Sequence, residues 1–257
     1  MSGDSFCSVL EALQIRRVYF FGDSLAVSQW KSLLNLLGLP LVEQASVDRT
    51  ESATIECPNA YQRIPIMVAK ETGGDGPPMV LSDTSREFLW STNTTSNERT
   101  LSIWNIGAHY HTEKLFQHDF ATLSDWMTQR PNDLVFFRTT PPGHADCEPR
   151  QPKQFNFTHG TRVVPLSNAS QYPHTTLHDW DKMFLHNAHA QAHMPSSVRL
   201  LDVVPMTLLR SDGHSGGKDC LHYMSPGPLD WWNHLLYSHL KRLAAMEGRM
   251  PDAPSRT

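Results

Sequence analysis

Three side chains have the types and spacing for acyl transfer: Ser24, Asp219 and His222. Ser24 stands in residues 18–38, VYFFGDSLAVSQWKSLLNLLG, where an apolar run ends in Gly22-Asp23-Ser24 and an amphipathic pattern follows at once. A serine hydroxyl is a poor nucleophile. It needs a histidine base, a carboxylate to orient that base, and N–H donors for the oxyanion. A serine between a strand and a helix lies beside the free N–H groups and positive pole of the helix start. The segment GGKDCLHYMSPG supplies Asp219 and His222 at i and i+3. In a loop or a single helical turn, that spacing lets the carboxylate reach one imidazole nitrogen and leaves the other to face Ser24. Two competing readings exist. Residues 213–217, GHSGG, match the G-x-S-x-G elbow, but that elbow needs a strand before it and a helix after it. LLRSD and KDCLH flank it instead, so it reads as a flexible glycine loop. The plain alternative for Gly22-Asp23-Ser24 is a strand–helix turn with Ser24 as the helix cap.

The elements that must position these groups alternate along the chain. Strands are expected at residues 17–21, 64–68, 101–105, 134–138 and 198–204, with 79–81 pairing as a hairpin after a Gly/Pro turn at 71–78. Helices are expected at 25–37, 113–129, 180–193 and 228–246. Leu25, Trp30, Leu33, Leu34 and Leu37 share a face of the first helix, and Gly38 and Pro40 stop it. Residues 141–173 read as a long polar loop, 1–14 as a lead-in and 250–257 as a frayed tail. Strand–helix alternation predicts an α/β fold, a three-layer α/β/α sandwich on a central parallel sheet. Such sheets work beyond the carboxyl ends of their strands. The residues there are Gly22-Asp23-Ser24, Asn105-Ile106-Gly107 and Arg138-Thr139-Thr140.

With 257 residues the chain suits one large α/β domain or two small ones, and the ordered motifs favour one. A formal charge of -4 gives no field for nucleic acid. No apolar run reaches the roughly 18 residues of a membrane span, and the start MSGDSFCSVLEALQ lacks the features of a signal peptide. Cys7, Cys57, Cys147 and Cys220 are scattered, which permits two disulfides or four buried thiols. Sequons begin at Asn93, Asn156 and Asn168. His186, His189 and His193 fall at i, i+3 and i+7 of one helix, but no carboxylate or cysteine completes a ligand set, so no metal is expected. Trp231, Trp232 and Tyr237 read as packing of the terminal helix, and Trp104 and Trp126 as core.

The Gly22-Asp23-Ser24-Leu25 and Asp219-x-x-His222 blocks resemble the SGNH/GDSL superfamily, and more closely its PC-esterase and trichome-birefringence-like group of polysaccharide O-acetyltransferases. FFGDSLAVSQWKSLL, WNIGAHY, VFFRTTPPGH and LLRSDGHSGGKDCLHYMSPGPLDWWNHLLY resemble that group's blocks in its order, across residues 18–236. The resemblance implies a flavodoxin-like strand order, Ser24 as nucleophile, His222 as base and Asp219 as its orienter. The Ser24 N–H, the Gly107 N–H and the Asn105 side chain become oxyanion-hole candidates, and Arg138 a candidate to orient substrate or donor. It implies a small acyl donor and a glycan or polysaccharide acceptor, no metal or redox cofactor, and a secretory or Golgi location. Three departures stand out. Tyr223-Met224 replaces Trp-Cys, so one family disulfide is expected to be missing; Ala108 is inserted before His109; and the family's membrane anchor and Cys-rich entry segment have no counterpart. A transferase and an acetylesterase would share all these residues, and a non-catalytic glycan-binding protein would share the fold.

Overall fold

In the computed structural model, residues 1–40, 50–57, 62–70, 79–90, 99–143, 177–216 and 219–250 are described. Six strands form one sheet: β1 (Ile15–Gly22), β2 (Thr50–Cys57), β3 (Gln62–Lys70), β4 (Arg99–Trp104), β5 (Leu134–Arg138) and β6 (Arg199–Leu201), in the order β2-β3-β1-β4-β5-β6. β1 runs parallel to both β3 and β4, β4 to β5, and β5 to β6; only the edge strand β2 is antiparallel. The parallel portion is thus doubly wound, and its winding reverses between β1 and β4, where such sheets open a crevice at their carboxyl ends.

Parallel strands covered on both faces need apolar residues at nearly every position, and β1 shows how they divide. Val18 and Phe20 enter one core with α1 (Gly3–Ala12), α2 (Ser24–Leu37) and α7 (Pro228–Met246). Tyr19 and Phe21 enter the other with α3 (Asp83–Trp90), α4 (Glu113–Thr128) and α5 (Leu177–His193). This is the expected three-layer α/β/α sandwich. The short helix α6 (Val204–Thr207) follows β6, and a separate hairpin of β7 (His214–Gly216) and β8 (Asp219–Tyr223) precedes α7.

Four expectations need correction. Residues 79–81 do not pair; they lead into α3, and the antiparallel partner of β3 is β2. The strand expected over 198–204 is only three residues long, because α6 starts at Val204 with Pro205 in its first turn. The GHSGG segment includes β7 rather than being free loop. The lead-in carries α1, started by a capping box between Ser2 and Ser5. Cys7 of α1 is disulfide-bonded to Cys57 at the end of β2, which ties the first helix to the sheet edge. Cys220 is also disulfide-bonded, and no cysteine among the described residues is free. The turn at 71–78, residues 144–176, the three sequons, Cys147 and the tail from 251 lie outside the described residues.

Candidate active site

β1 ends at Gly22 with a φ of 153°, and a Cβ there would lie 2.4 Å from the Asn105 carbonyl oxygen. Only glycine permits that approach of two main chains at the β1/β4 junction. Asp23 then caps α2, its carboxylate accepting the Leu25 N–H at 2.9 Å. The cap is therefore Asp23 and not Ser24. Ser24 is the first helical residue, where an N–H has no partner within the helix. A polar seam with α7 fixes the rest of α2. Asn233 Nδ2 donates to the Gln29 carbonyl and the Ser32 hydroxyl, both at 3.0 Å, and the Ser32 hydroxyl donates to Asp230.

Asp219 and His222 come from β8. Side chains at i and i+3 of an extended strand point to opposite faces, so the pair needs a local device. Asp219 Oδ1 accepts the main-chain N–H groups of Leu221 at 3.2 Å and His222 at 3.1 Å, which folds the carboxylate back over the strand. Its Oδ2 then lies 2.8 Å from His222 Nδ1, and His222 Nε2 lies 2.6 Å from Ser24 Oγ. Nδ1 carries the hydrogen toward the carboxylate in this arrangement, and Nε2 is left as acceptor for the serine hydroxyl. Partial burial works to raise the Asp219 pKa. The His222 N–H, the His222 ring and the Leu221 N–H outweigh it, and the carboxyl titrates below its ordinary value. The side chains of His222 and Asp219 remain 37% and 48% exposed, so the chain of three opens to solvent.

His214 is a positioning residue that the motif reading passed over. Buried in β7, its Nδ1 donates to the His222 carbonyl at 2.6 Å, and its ring stacks on Tyr223 with centroids 4.2 Å apart. Tyr223 in turn donates its hydroxyl to the Pro142 carbonyl at 3.2 Å, which anchors the hairpin to the loop after β5. The signal for His214 was the Asp-Gly-His run of the last resembling block, whose GHSGG portion reads as a flexible glycine loop.

The remaining candidates divide. Gly107 follows β4 with a φ of 156°, and a Cβ there would lie 2.5 Å from Thr140 Oγ1. Among the described residues neither the Gly107 N–H nor the Ser24 N–H has a hydrogen-bond partner. The Asn105 side chain differs. Its amide donates to the Arg138 carbonyl at 2.9 Å and to Thr140 Oγ1 at 2.7 Å, which uses both hydrogens, so it has none left for an oxyanion. Arg138 is also corrected. It is fully buried, donates to Asn105 Oδ1 and the Thr139 carbonyl, and lies 4.8 Å over the Trp232 ring, so its guanidinium is turned into the interior. Burial lowers its pKa to about 10 while the charge of Asp23 works to raise it. Trp104 is core and Trp126 packs against it, but Trp231 is 60% exposed beside His234 and is not helix packing. His186 is buried with its ring stacked on Phe116, while His189 stacks on His193.

A doubly wound sheet with a hydrogen-bonded serine–histidine–aspartate chain at its switch point is the architecture of an α/β/α class in which such a chain can serve acyl transfer. Within it the chain belongs to the PC-esterase family, described as a GDSL/SGNH-like acyl-esterase family found in Pmr5 and Cas1p, whose model matches residues 83–239. That span contains Asp219 and His222 and stops short of Ser24, whose place in the site rests on geometry. Relatives include trichome birefringence-like 9 of Arabidopsis thaliana, 22% identical over 90% of this chain and 67% of that protein. Trichome birefringence-like 38 of the same plant is 25% identical over 88% and 66%. A 57-residue stretch is 42% identical to xyloglucan O-acetyltransferase 4 of Populus trichocarpa, covering 18% of this chain and 14% of that protein. The chain spans at most about two thirds of the length of these relatives.

Proposed function

We propose that this protein transfers an acetyl group to a polysaccharide hydroxyl through an acetyl-Ser24 intermediate. The observation that carries the reading is the hydrogen-bonded chain from Asp219 through His222 to Ser24 Oγ. Ser24 Oγ attacks the carbonyl carbon of a small acetyl donor, and its proton passes to His222 Nε2. The carbonyl oxygen becomes an oxyanion facing the Ser24 and Gly107 N–H groups. Collapse breaks the bond to the leaving group, which takes the proton back from His222. An acceptor hydroxyl then attacks acetyl-Ser24, giving its proton to His222, and a second tetrahedral collapse returns that proton to Ser24 Oγ. Asp219 keeps the imidazole in the required tautomer and offsets its charge when protonated. The acyl donor is a co-substrate, and no step calls on a metal or redox group.

The acceptor class follows the printed name of the Populus relative, a xyloglucan O-acetyltransferase. A second reading, acetylester hydrolysis, has its own support in the exposure of His222 and Asp219, which gives water a path to the intermediate. The disulfides at Cys7–Cys57 and at Cys220 support an oxidising, secretory compartment. The experiment is to supply an activated acetyl ester with a panel of neutral polysaccharides, and to measure polysaccharide-bound acetyl and free acetate together. Transfer predicts bound acetyl that depends on the acceptor and on Ser24. Free acetate alone, unchanged by any acceptor, would select hydrolysis.

A further inference from the structure

One buried carboxylate joins the two turns at the β1/β4 switch point. Asp23 is 4% exposed; its Oδ1 accepts the Leu25 N–H at 2.9 Å and its Oδ2 accepts the Ala108 N–H at 3.3 Å. Leu25 directly follows Ser24, and Ala108 directly follows Gly107. Each N–H that Asp23 grips is thus the next along the chain from one of the two N–H groups without a partner.

Peptide units are planar, so only φ and ψ of Ser24 and of Gly107 separate each gripped amide from the one before it. Holding the Leu25 and Ala108 amides on one carboxylate fixes the separation of the two turns, and the helical start at Ser24 limits the remaining freedom on that side. The two turns come from different strands, and no local turn chemistry would set that gap. A helix cap alone would need only the Leu25 bond; the Ala108 bond is extra to it. A carboxylate close to a developing oxyanion would oppose it by charge. Here both carboxylate oxygens are bound by N–H donors, and the fully buried Arg138 guanidinium acts on Asp23 as an opposite charge.

We propose that Asp23 is the positioning residue of the oxyanion hole, bridging the nucleophile turn to the Gly107 turn so that the Ser24 and Gly107 N–H groups converge on one oxygen. The proposal rests on the acyl-transfer reading above.

Asp23→Ser separates capping from bridging, because serine caps a helix as well as aspartate but is too short to reach Ala108 as well. With p-nitrophenyl acetate as donor, Asp23→Ser is expected to lower kcat by about 10²–10³-fold, the cost of a lost oxyanion donor, with KM within about threefold and the thermal midpoint within a few degrees. Asp23→Asn keeps the buried shape and only one acceptor oxygen, and is expected to lower kcat at least about tenfold. A kcat within about threefold of the parent for Asp23→Ser would overturn the proposal. So would a lowered kcat accompanied by a matching rise in KM and loss of stability, or failure of both variants to fold, since either assigns Asp23 to the fold alone. A parent that forms no acetyl-Ser24 by intact mass overturns the acyl-transfer reading itself, and this inference with it.

Discussion

The Asp219 carboxylate holds His222 at two points, by the main-chain N–H at 3.1 Å and by the ring Nδ1 at 2.8 Å. One side chain thus fixes both where the imidazole is rooted and how it is turned. Asp219→Asn would place an amide where the carboxylate accepts two kinds of N–H, and would favour the wrong tautomer of His222. The expected outcome is a kcat lowered by about 10²–10⁴-fold with a near-parental melting midpoint. Steady-state kinetics on an acetyl ester checks it. A loss below tenfold would separate Asp219 from the reaction.

The acid side of stability carries two signatures of opposite chemistry and the same sign. Asp219 titrates below its ordinary 3.8 in the folded state, so its contribution is present above that value and is lost as pH falls through the lowered folded value. His186 is pushed down to about 4, first by burial and then by the positive charges of Lys182 and His189, with the Gly107 main chain acting the other way. Between 6.5 and about 4 the unfolded chain binds a proton at His186 that the folded chain does not, so stability falls as pH falls through that window. The slope from one such group is at most about 1.4 kcal/mol per pH unit. His186→Phe should keep the stack on Phe116 and flatten that part of the curve. Denaturant melts at pH 7 and pH 5 test this, and an unchanged pH dependence in the variant would contradict it.

Arg138 gives a prediction that distinguishes fold from substrate binding. Removing its guanidinium by Arg138→Met leaves Asn105 Oδ1 without its donor, a cost of about 1–3 kcal/mol. Arg138→Lys should not rescue it, because an ammonium cannot span Asn105 and Thr139 as a planar fork does. Both variants should melt earlier, with KM for the donor unchanged. A raised KM at parental stability would return Arg138 to the substrate site.

Much of this architecture was legible in the chain, and the gaps have physical reasons. α2, α4 and α7 carry long periodic faces, and β1, β4 and β5 are apolar runs, so each was found within a few residues. β2 escaped because it is an edge strand, TESATIEC, with much of its length facing solvent and a composition that resembles loop. α3 escaped because it is short and buries only Ser85 and Leu89. Ser24, Asp219 and His222 stand out by type and spacing, and the structure brings them into one hydrogen-bonded chain, although the strand geometry of the last two is not readable from the spacing. Asn105 and Arg138 do stand at strand ends, but their side chains turn inward and bond to each other. Sequence marks the end of a strand but not whether a side chain there turns to the crevice or into the layer beneath. Asp23 was readable in principle, since aspartate before a helix is a preferred cap. The reach of its second oxygen to Ala108 depends on the pairing of β1 with β4.

The Cys7–Cys57 disulfide closes a separation of 50 residues. In the chain-entropy account a loop of that size is worth about 4 kcal/mol. Cys7→Ala with Cys57→Ala should lower stability by about 2–4 kcal/mol while leaving acyl turnover at 25 °C intact, because Cys57 pairs with Gln62 at the start of β3, away from the carboxyl ends of the parallel strands. Urea titration with parallel activity measurement decides it. Loss of turnover in a variant that is still folded would show that the edge does shape the site.

The central claim is that Ser24 carries the acetyl group. The direct measurement is the intact mass of the protein after brief exposure to an activated acetyl ester, followed by peptide mapping, with Ser24→Ala and His222→Ala alongside. The account predicts one added acetyl group on Ser24 in the parent and none at that position in either variant. An unmodified parent with no ester turnover, or an acetyl group that maps elsewhere and persists in Ser24→Ala, would contradict it.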